Sequence, residues 1–402
     1  MKVTIVKERI IEGLQKAAGI IPTKTGAAYL RSVWLKTGEN SISVIATDAN
    51  IEFTGTYPAE IAEEGIVGVH GRSFVDLMRQ LPEGEITLST ESAQKARGTG
   101  AVPEQSSLSG DTEQKFLLLQ QGRRKYKLPL NDPSWFQSIS EFPAENSVIW
   151  SGDFLEELLD KITYCIADDE ASDAISCMFL NPKENGRIEA CGLDGHQFAM
   201  MAFVNDELAG LLPPEGLLIQ KKYLADIKKW LNGNEIYVNV TNNRLHLRTA
   251  DATETLSIPL ASYQYPDYAP FMNQLNGDVS SLEVGKRECI DALSRISIFN
   301  TVNDYCTYMD LSENETMLSA QGQDTGFARE SIEAEYRGTL SRIAFPTRKL
   351  MEIMGHFNSE KITMNFSGAE SPCGIRGEND PDYLVIIMPM KVVESSYYSE
   401  VD

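Results

Sequence analysis

The chain has 402 residues, enough for two or three domains at ~150 residues each. Forty-two per cent are hydrophobic and 23 % charged, which supports packed cores and excludes wholesale disorder. Lys and Arg number 36 against 58 Asp and Glu; the formal net charge of −22 excludes a surface coated in nucleic acid, though not a local basic face.

From the N-terminus, MKVTIVKERIIEGLQ mixes charges into its apolar positions and has no apolar stretch of the kind that secretory leaders carry. KERIIEGLQKAAG reads as an amphipathic helix. VIATDANIEF places Asp48 at a turn between two strand-like runs. From Val69, VHGRSFVDLMRQLPEGEITL reads as a helix opened by Arg72, with Phe74, Leu77 and Leu81 on one face, then a polar turn and a strand. Residues 91–114 are rich in Gly, Ser and Gln without periodicity and are expected to form a solvated loop.

The same cycle then recurs. GDFLEELLDKITY is a second opening helix, Asp194 sits at a turn in EACGLDGHQF, and IQKKYLADIKKWLNGNEIYV starts at Ile219. Its apolar face is Leu224, Ile227 and Leu231, and Ile236, Val238 and Val240 alternate in the strand beyond. In the third cycle KRECIDALSRISI precedes Asp324 in SAQGQDTGF, and FPTRKLMEIMGHFNSEKITM from Phe345 carries Leu350, Ile353 and Phe357. Arg72, Lys222 and Arg348 align without a gap, at offsets of 150 (222 − 72) and 126 (348 − 222). The offset from Asp48 to Asp324 is 276, the same as from Arg72 to Arg348, and two landmarks sharing one offset mark a true repeat. The first offset exceeds the second by 24, the length of segment 91–114, which is therefore an insertion in the first unit. Three domains are expected: 1–146 with the inserted loop, 147–278, and 279–402 ending in a short tail.

No apolar run approaches the ~18 residues that span a bilayer, so no membrane is expected as a partner. The six cysteines (Cys165, Cys177, Cys191, Cys289, Cys306, Cys373) form no CxxC pair, which fits a reduced cytoplasmic setting. With four histidines a His-rich metal centre is not expected, and neither a metal nor another cofactor is. An acidic enzyme with a carboxylate–histidine site at Asp168, Asp169, Glu170, Asp194 and His196 is the competing function class. Three adjacent acids cannot all face one ion from a regular element, and GxxxxGK[ST], HExxH, GxSxG and a strand-borne GxGxxG are all missing. Asp194 has counterparts in Asp48 and Asp324, which points instead to an Asx-turn. No catalytic residue is assigned.

Against the acidic average, basic residues gather on the two helices of each unit. They are Lys7, Arg9 and Lys16; Arg72 and Arg79; Lys161; Lys221, Lys222, Lys228 and Lys229; Lys286, Arg287 and Arg295; Arg348 and Lys349. A repeated basic face suits sequence-independent contact with phosphates.

The segments ATDANIEF, VHGRSFVDLMRQLPEGE, LDGHQF, SYQYPDY and LVIIMPMKV, in this order around three repeats, resemble the bacterial DNA polymerase III beta subunits, the sliding clamps. The resemblance covers everything but the insert and the tail from Val393. It implies an α+β fold of three repeated clamp-type domains, with helices lining the inside and antiparallel sheets outside, closed as a ring-shaped homodimer. It implies a non-catalytic processivity factor that encircles duplex DNA and takes short linear peptides from the replicative polymerase and the clamp loader. A clamp-fold assembly scaffold that does not act on DNA is the remaining alternative.

Residue by residue, Lys24 stands where the family has a DNA-contacting arginine, and Arg72, Lys221 and Lys222 where it has basic channel residues; Arg348 and Lys349 complete the expected DNA-facing set. The DDEAS stretch from Asp168 to Ser172 departs from the family's polar and aromatic DNA contacts. The family's peptide pocket maps onto Ile175, Leu193, Gly195, His196, Phe198, Pro266, Phe271, Ile386, Ile387, Met388, Pro389 and Met390. Such a groove is apolar, with methionines that adapt to several ligands. Gln197 and Ser172 stand where the family often has arginines, so polar contacts to the peptide are expected to differ. The ring interface maps onto Tyr126 and Leu128 of one subunit and Ile298 and Phe299 of the other, with Arg123, Arg124 and Lys125 alongside. The tail 393–402 reads as a frayed acidic terminus; the alternative is that Tyr397 and Tyr398 let it occupy the groove transiently and weaken partner binding.

Overall fold

A computed structural model describes every residue except 23–26, 93–114, 169–173, 242, 276–278, 301–304, 323–324 and 393–402. Lys24, Ser172, Asp324 and the tail therefore lie outside the described residues, as does all of the insert but Glu91 and Ser92. Those two end a strand and pair with Phe116 and Lys115, so they are not part of a solvated loop as their composition suggests.

The first repeat contains β1 (Lys2–Val6), α1 (Lys7–Ile20), β2 (Ser32–Thr37), β3 (Ser41–Thr47), β4 (Glu52–Pro58) and β5 (Glu60–Glu63). It continues with β6 (Ile66–His70), α2 (Gly71–Gln80), β7 (Glu85–Ser92), β8 (Lys115–Gln121) and β9 (Arg124–Pro129). The second contains β10 (Val148–Ser151), α3 (Gly152–Ile162), β11 (Cys177–Pro182), β12 (Arg187–Leu193), β13 (Gln197–Val204) and α4 (Asp206–Leu211). Then come β14 (Leu217–Gln220), α5 (Lys221–Trp230), β15 (Glu235–Thr241), β16 (Arg244–Thr249), β17 (Glu254–Pro259) and α6 (Ala269–Gln274). The third contains β18 (Ser280–Gly285), α7 (Lys286–Ile296), β19 (Cys306–Leu311), β20 (Glu315–Gly322) and β21 (Gly326–Arg337). It closes with β22 (Arg342–Pro346), α8 (Thr347–Gly355), β23 (Lys361–Phe366), β24 (Cys373–Gly377) and β25 (Asp380–Ile387).

Each opening strand runs straight into its helix, and apolar spacing decides which helix face is covered. α1 buries Ile10, Gly13, Leu14 and Ala17. α2 buries Phe74, Val75 and Met78; Leu77 is only half-buried, because Met78 lies closer to the centre of the apolar stripe. In α5 Tyr223, Leu224, Ile227 and Trp230 are buried and Leu231 is half-buried, whereas Leu350, Ile353 and Phe357 are all buried as expected.

The expected turns form as Asx-turns. Asp48 Oδ1 accepts the N–H groups of Asn50 and Ile51 at 2.8 and 2.7 Å, and Asp194 Oδ1 accepts those of His196 and Gln197 at 2.8 Å each. The residue after each aspartate is left-handed: Ala49 at φ 80° and Gly195 at φ 88°. A left-handed alanine costs ~1–2 kcal/mol, and a glycine loses ~0.5–1 kcal/mol in unfolded-chain entropy. Ala49→Gly is therefore expected to raise unfolding stability by about 0.5–1 kcal/mol, read as a higher urea midpoint at unchanged slope.

All ladders among the described residues are antiparallel, in a five-stranded sheet (β5-β1-β7-β8-β9), an eight-stranded sheet (β10-β15-β16-β17-β4-β3-β2-β6) and a twelve-stranded sheet (β14-β11-β12-β13-β25-β24-β23-β18-β21-β20-β19-β22). The chain groups into two compact units, 1–154 with 225–260 and 155–224 with 261–402. They cut across the sequence repeats because the long sheets do. In both, the last strand of one repeat pairs with the strand after the Asx-turn of the preceding repeat: β17 on β4, with Leu256 opposite Phe53, and β25 on β13, with Ile386 opposite Phe198.

Repeat-equivalent lysines reinforce this pairing. Lys16 and Lys161 stand 145 residues apart (161 − 16), as do the first residues of α1 and α3, Lys7 and Gly152. Lys16 Nζ donates to Glu254 at the start of β17 at 2.8 Å, and Lys161 Nζ to Asp380 at the start of β25 at 2.9 Å. Burial opposes the charge of Lys16, but Glu254 and Glu12 outweigh it and hold its pKa above the usual lysine value. The Tyr57 hydroxyl donates to the same Glu254 and fills the space a side chain would need at Gly13 and Gly55.

Candidate functional site

One face of β11, β12, β13, β14 and β25 carries a buried apolar floor of Cys177, Phe179, Cys191, Phe198, Met200, Leu218, Leu384 and Ile386. The segment after β17 lies against it through Ala261, Tyr265, Tyr268, Met272 and Leu275, joined by Leu193 from the Asx-turn. Tyr265 stacks on Phe179 with centroids 4.6 Å apart, and Tyr268 on Phe198 at 5.2 Å. The Tyr268 hydroxyl donates to Glu189 Oε2 at 2.5 Å and accepts from Asn181 Nδ2 at 2.7 Å. The buried Tyr265 hydroxyl has no partner among the described residues, and burial pushes its pKa up, so it stays a neutral donor within an otherwise apolar surface.

Leu193, Phe198 and Ile386 belong to this cluster as expected from the sequence. Gly195 and His196 are exposed on the turn, and the His196 carbonyl accepts the Met388 N–H at 3.0 Å, which brings the turn and the end of β25 together. Met388 is exposed, and Pro389 and Met390 are half-buried beyond it. Ile175 is half-buried; its carbonyl accepts from Ala167 N at 3.1 Å, as does that of Leu193. Pro266 and Phe271 are exposed, and on α6 it is Met272 that packs inward. Ile387 alternates to the opposite face of β25 from Ile386 and is 1 % exposed, so it is core rather than groove wall. Gln197 likewise alternates away from Phe198 and donates to the Tyr164 carbonyl at 3.3 Å. Sequence reasoning missed Phe179, Tyr265, Tyr268, Met272 and Leu275 as site residues. The spacing 265, 268, 272, 275 was a usable signal, an apolar stripe in a segment too short for a core helix.

The cations divide into two sets. Arg72 and Arg79 are exposed on α2 and line a shallow depression with Gln15, Gly19, Val75 and Asp76. Lys222 is exposed over the Tyr223 ring, and the exposed Arg348 guanidinium lies 5.4 Å from the Tyr305 ring centre. Arg9 and Arg287 are exposed as well. The second set is paired with acceptors of the chain itself, whereas the sequence led to the expectation of a repeated basic face toward phosphate. The half-buried Lys16 and the buried Lys161 bond as described above, Lys7 donates to the Arg79 and Leu81 carbonyls, Lys286 to the Phe357 carbonyl at 2.7 Å, and the exposed Arg295 is paired with Glu330. Lys221 donates to the Ile166 carbonyl at 2.6 Å and Asp168 at 3.0 Å, and Lys349 to Asp194 Oδ2 at 2.7 Å. A long aliphatic stem lets a lysine on a basic helix fold back onto acceptors.

Among the described residues no three His, Cys, Asp or Glu side chains group as a metal site. Asp194 is taken up by its turn and Lys349, and Asp169 and Glu170 of the competing site lie outside the described residues. All six cysteines are buried thiols; burial pushes Cys289 up to about 12 and Cys165, Cys191 and Cys373 higher still, so these four are poor nucleophiles.

Comparison with known proteins bears on the whole chain. Residues 1–110 match the family model for the DNA polymerase III beta subunit N-terminal domain, and residues 277–391 match that for its C-terminal domain. The chain belongs to the DNA polymerase III beta subunit family. It is similar to the beta sliding clamp of Pseudomonas aeruginosa, 22 % identical over 400 residues covering 98 % of this chain and all of that one. Crystal structures of the Pseudomonas aeruginosa beta subunit (TM-score 0.83, 21 % identity) and the Bacillus subtilis sliding clamp (TM-score 0.85, 17 % identity) match 98 % of this chain and 100 % of theirs. The α+β fold with three antiparallel sheets is thus that of the family.

Two sheet edges among the described residues stand at corresponding places in the repeat pattern. β9 ends the five-stranded sheet, with Tyr126 36 % exposed and Leu128 half-buried. β21 pairs with β20 from Gly326 to Glu333 and with β18 only from Ala334 to Arg337, so one edge of 326–333 is unpaired among the described residues. Beside it Ile298 is 70 % exposed, Phe327 is 59 % exposed and Phe299 is half-buried. Ile298 is the counterpart of Tyr164, as 298 − 164 equals the offset of 134 between the starts of α7 and α3. In the second repeat Tyr164 is covered: its hydroxyl donates to Tyr383 of β25 at 2.7 Å, and Tyr383 donates onward to the Lys161 carbonyl. Phe327 was not singled out from the sequence, although like the buried Phe198 it follows directly on its turn: Phe198 is in the first pair of its ladder (Leu193↔Phe198) and Phe327 in the second (Gln321↔Phe327, after Gly322↔Gly326).

Proposed function

We propose that the protein is a DNA sliding clamp, a non-catalytic processivity factor that two copies build by closing head to tail around duplex DNA. The open edges carry this reading. Within the chain, the strand after the turn is covered in the first two repeats by the last strand of the next repeat, β17 on β4 and β25 on β13. β21 is the strand left over at one end of this pattern, and β9 the one left over at the other. A second copy offering β9 to β21 satisfies both, with Tyr126 and Leu128 set against Ile298 and Phe299, and a closed ring leaves no such edge exposed. The three repeats, 1–146, 147–278 and 279–402, are the domains of the ring.

Arg72, Lys222 and Arg348 stand nearest the duplex, with Lys24, Lys221 and Lys349 around them. Contact through exposed cations is weak and salt-sensitive, so residence depends on enclosure rather than affinity. The groove of Phe198, Ile386, Tyr265 and Tyr268 takes apolar anchors of short peptides from the polymerase and the clamp loader, and the site of action is the cytoplasm. No helix among the described residues is long and apolar enough to cross a membrane.

The deciding experiment compares release from nicked circular DNA before and after linearisation. Protein loaded on the circle is expected to persist for many minutes and to leave within seconds once the circle is cut. Equal release from the two forms would overturn enclosure and favour an assembly scaffold.

A further inference from the structure

The rim of the groove is held from two sides by lysines that open helices. Lys349, near the start of α8, donates to Asp194 Oδ2 at 2.7 Å. The other oxygen of that carboxylate accepts the N–H groups of His196 and Gln197, and the His196 carbonyl accepts from Met388 N. One ammonium thus steadies the carboxylate, the carboxylate shapes the turn, and the turn holds the strand end that bears Met388. Opposite, Lys221 at the start of α5 donates to the Ile166 carbonyl and to Asp168, and Ala167 between them donates to the carbonyls of Ile175 and Leu193. The side chains of Lys349 and Lys221 are 35 % and 26 % exposed, so both are held yet still open to a solute.

These are two of the cations expected to meet phosphate. An ammonium drawn toward a phosphate oxygen stretches away from the acceptors it holds, and Asp194 is then left with an uncompensated charge beneath the turn. We propose that Lys349, assisted by Lys221, is a positioning residue for the groove, and that duplex DNA and a peptide ligand compete through it: phosphate contact loosens the rim and weakens peptide capture. This rests on the clamp reading and adds a coupling to it. By reciprocity, a bound peptide weakens phosphate contact at the same lysines by the same factor. A polymerase held by such a groove would find the ring freer to slide.

The test uses the full chain and a labelled octapeptide of serines carrying two leucines and a phenylalanine, read by fluorescence anisotropy at low salt with and without a short duplex; duplex binding is followed separately through its own label. Lys349→Met is expected to weaken peptide binding ~5–10-fold without duplex, with Lys349→Arg within ~2-fold of the parent, and the duplex to weaken binding to the parent ~3–5-fold but to leave Lys349→Met nearly unchanged. A purely structural lysine would shift peptide affinity without altering its response to duplex, and that result overturns the coupling. So does a parent that binds both ligands independently. A parent that binds neither the duplex nor the peptide overturns the clamp reading itself.

Discussion

Ile298→Asp is expected to raise the dimer dissociation constant at least ~100-fold, leaving a folded monomer at micromolar concentration. The side chain is 70 % exposed in the single chain, so a carboxylate there costs the isolated fold little. Its counterpart Tyr164 shows what the position does when the next repeat is present: it is covered by β25 and joined to Tyr383. A charge forced into that cover, unpaired and away from water, costs ~3 kcal/mol or more, and each 1.4 kcal/mol is tenfold in affinity. Sedimentation velocity across a concentration series measures the shift, with far-UV circular dichroism to establish that the monomer is folded. A dimer with unchanged concentration dependence would remove Ile298 from the interface and with it the closing of β9 on β21.

The second large effect is inside the fold. Asp380 Oδ1 accepts from Lys161 Nζ, while Oδ2 accepts from Ser359 Oγ at 2.6 Å, Ser359 N at 2.9 Å and Asn358 N at 3.0 Å. Lys161 and Asp380 are 6 % and 4 % exposed. Burial alone would raise the Asp380 carboxyl, but hydrogen bonds from Ser359, Lys161 and Asn358 overcome it and hold its pKa below the ordinary aspartate value. Removing one partner of a buried pair leaves the other charge poorly compensated, so Asp380→Asn or Lys161→Met is expected to cost ~3–5 kcal/mol at pH 7. The double variant should recover much of that loss, because no stranded charge remains. A group whose pKa is lower in the folded state stabilises above its unfolded pKa and loses that contribution as pH falls through the folded one. The deficit of Asp380→Asn should therefore hold from pH 7 down to about pH 4 and shrink below it. Urea denaturation at several pH values measures this, and single variants within ~1 kcal/mol of the parent would show that the pair is dispensable.

The repeats were legible in the sequence because their signals are local. Apolar residues three and four apart mark the helices, and an aspartate at the polar break between two strand-like runs marks the turn. Asp48 and Asp194 could be recognised without knowing what they pack against, since each bonds to its own next few residues. Three residues of the groove, Leu193, Phe198 and Ile386, were also legible, through the resemblance. The lysines were not. Lys161 and Lys222 look alike on a basic helix; what separates them is an acid 219 residues away from the first. Lys16 finds its partner Glu254 over a separation of 238 residues. Ile387 was misplaced for a smaller reason, since in an unbroken apolar strand the faces cannot be told apart until one register is known. Phe327 carried no local mark at all; only its place just after the third turn, like that of the buried Phe198 just after the second, singles it out.

The pairing of β17 on β4 also governs how the nascent chain matures. β4 is complete once residue 58 has been made, yet the strand that covers its edge ends at Pro259. At ~5–20 residues per second, roughly 200 residues of synthesis separate the two, so that edge waits on the order of 10–40 s on the ribosome. The first compact unit cannot close during this time, because residues 225–260 belong to it. The wait is tolerable because β4 offers little for another strand to grip: it ends in Pro58, and its outward side is Glu52, Thr54 and Thr56, with a second proline closing the incoming β17 at Pro259. A ribosome stalled before residue 260 would display a protease-sensitive first unit, and translation through β17 would switch it to resistance in a single step.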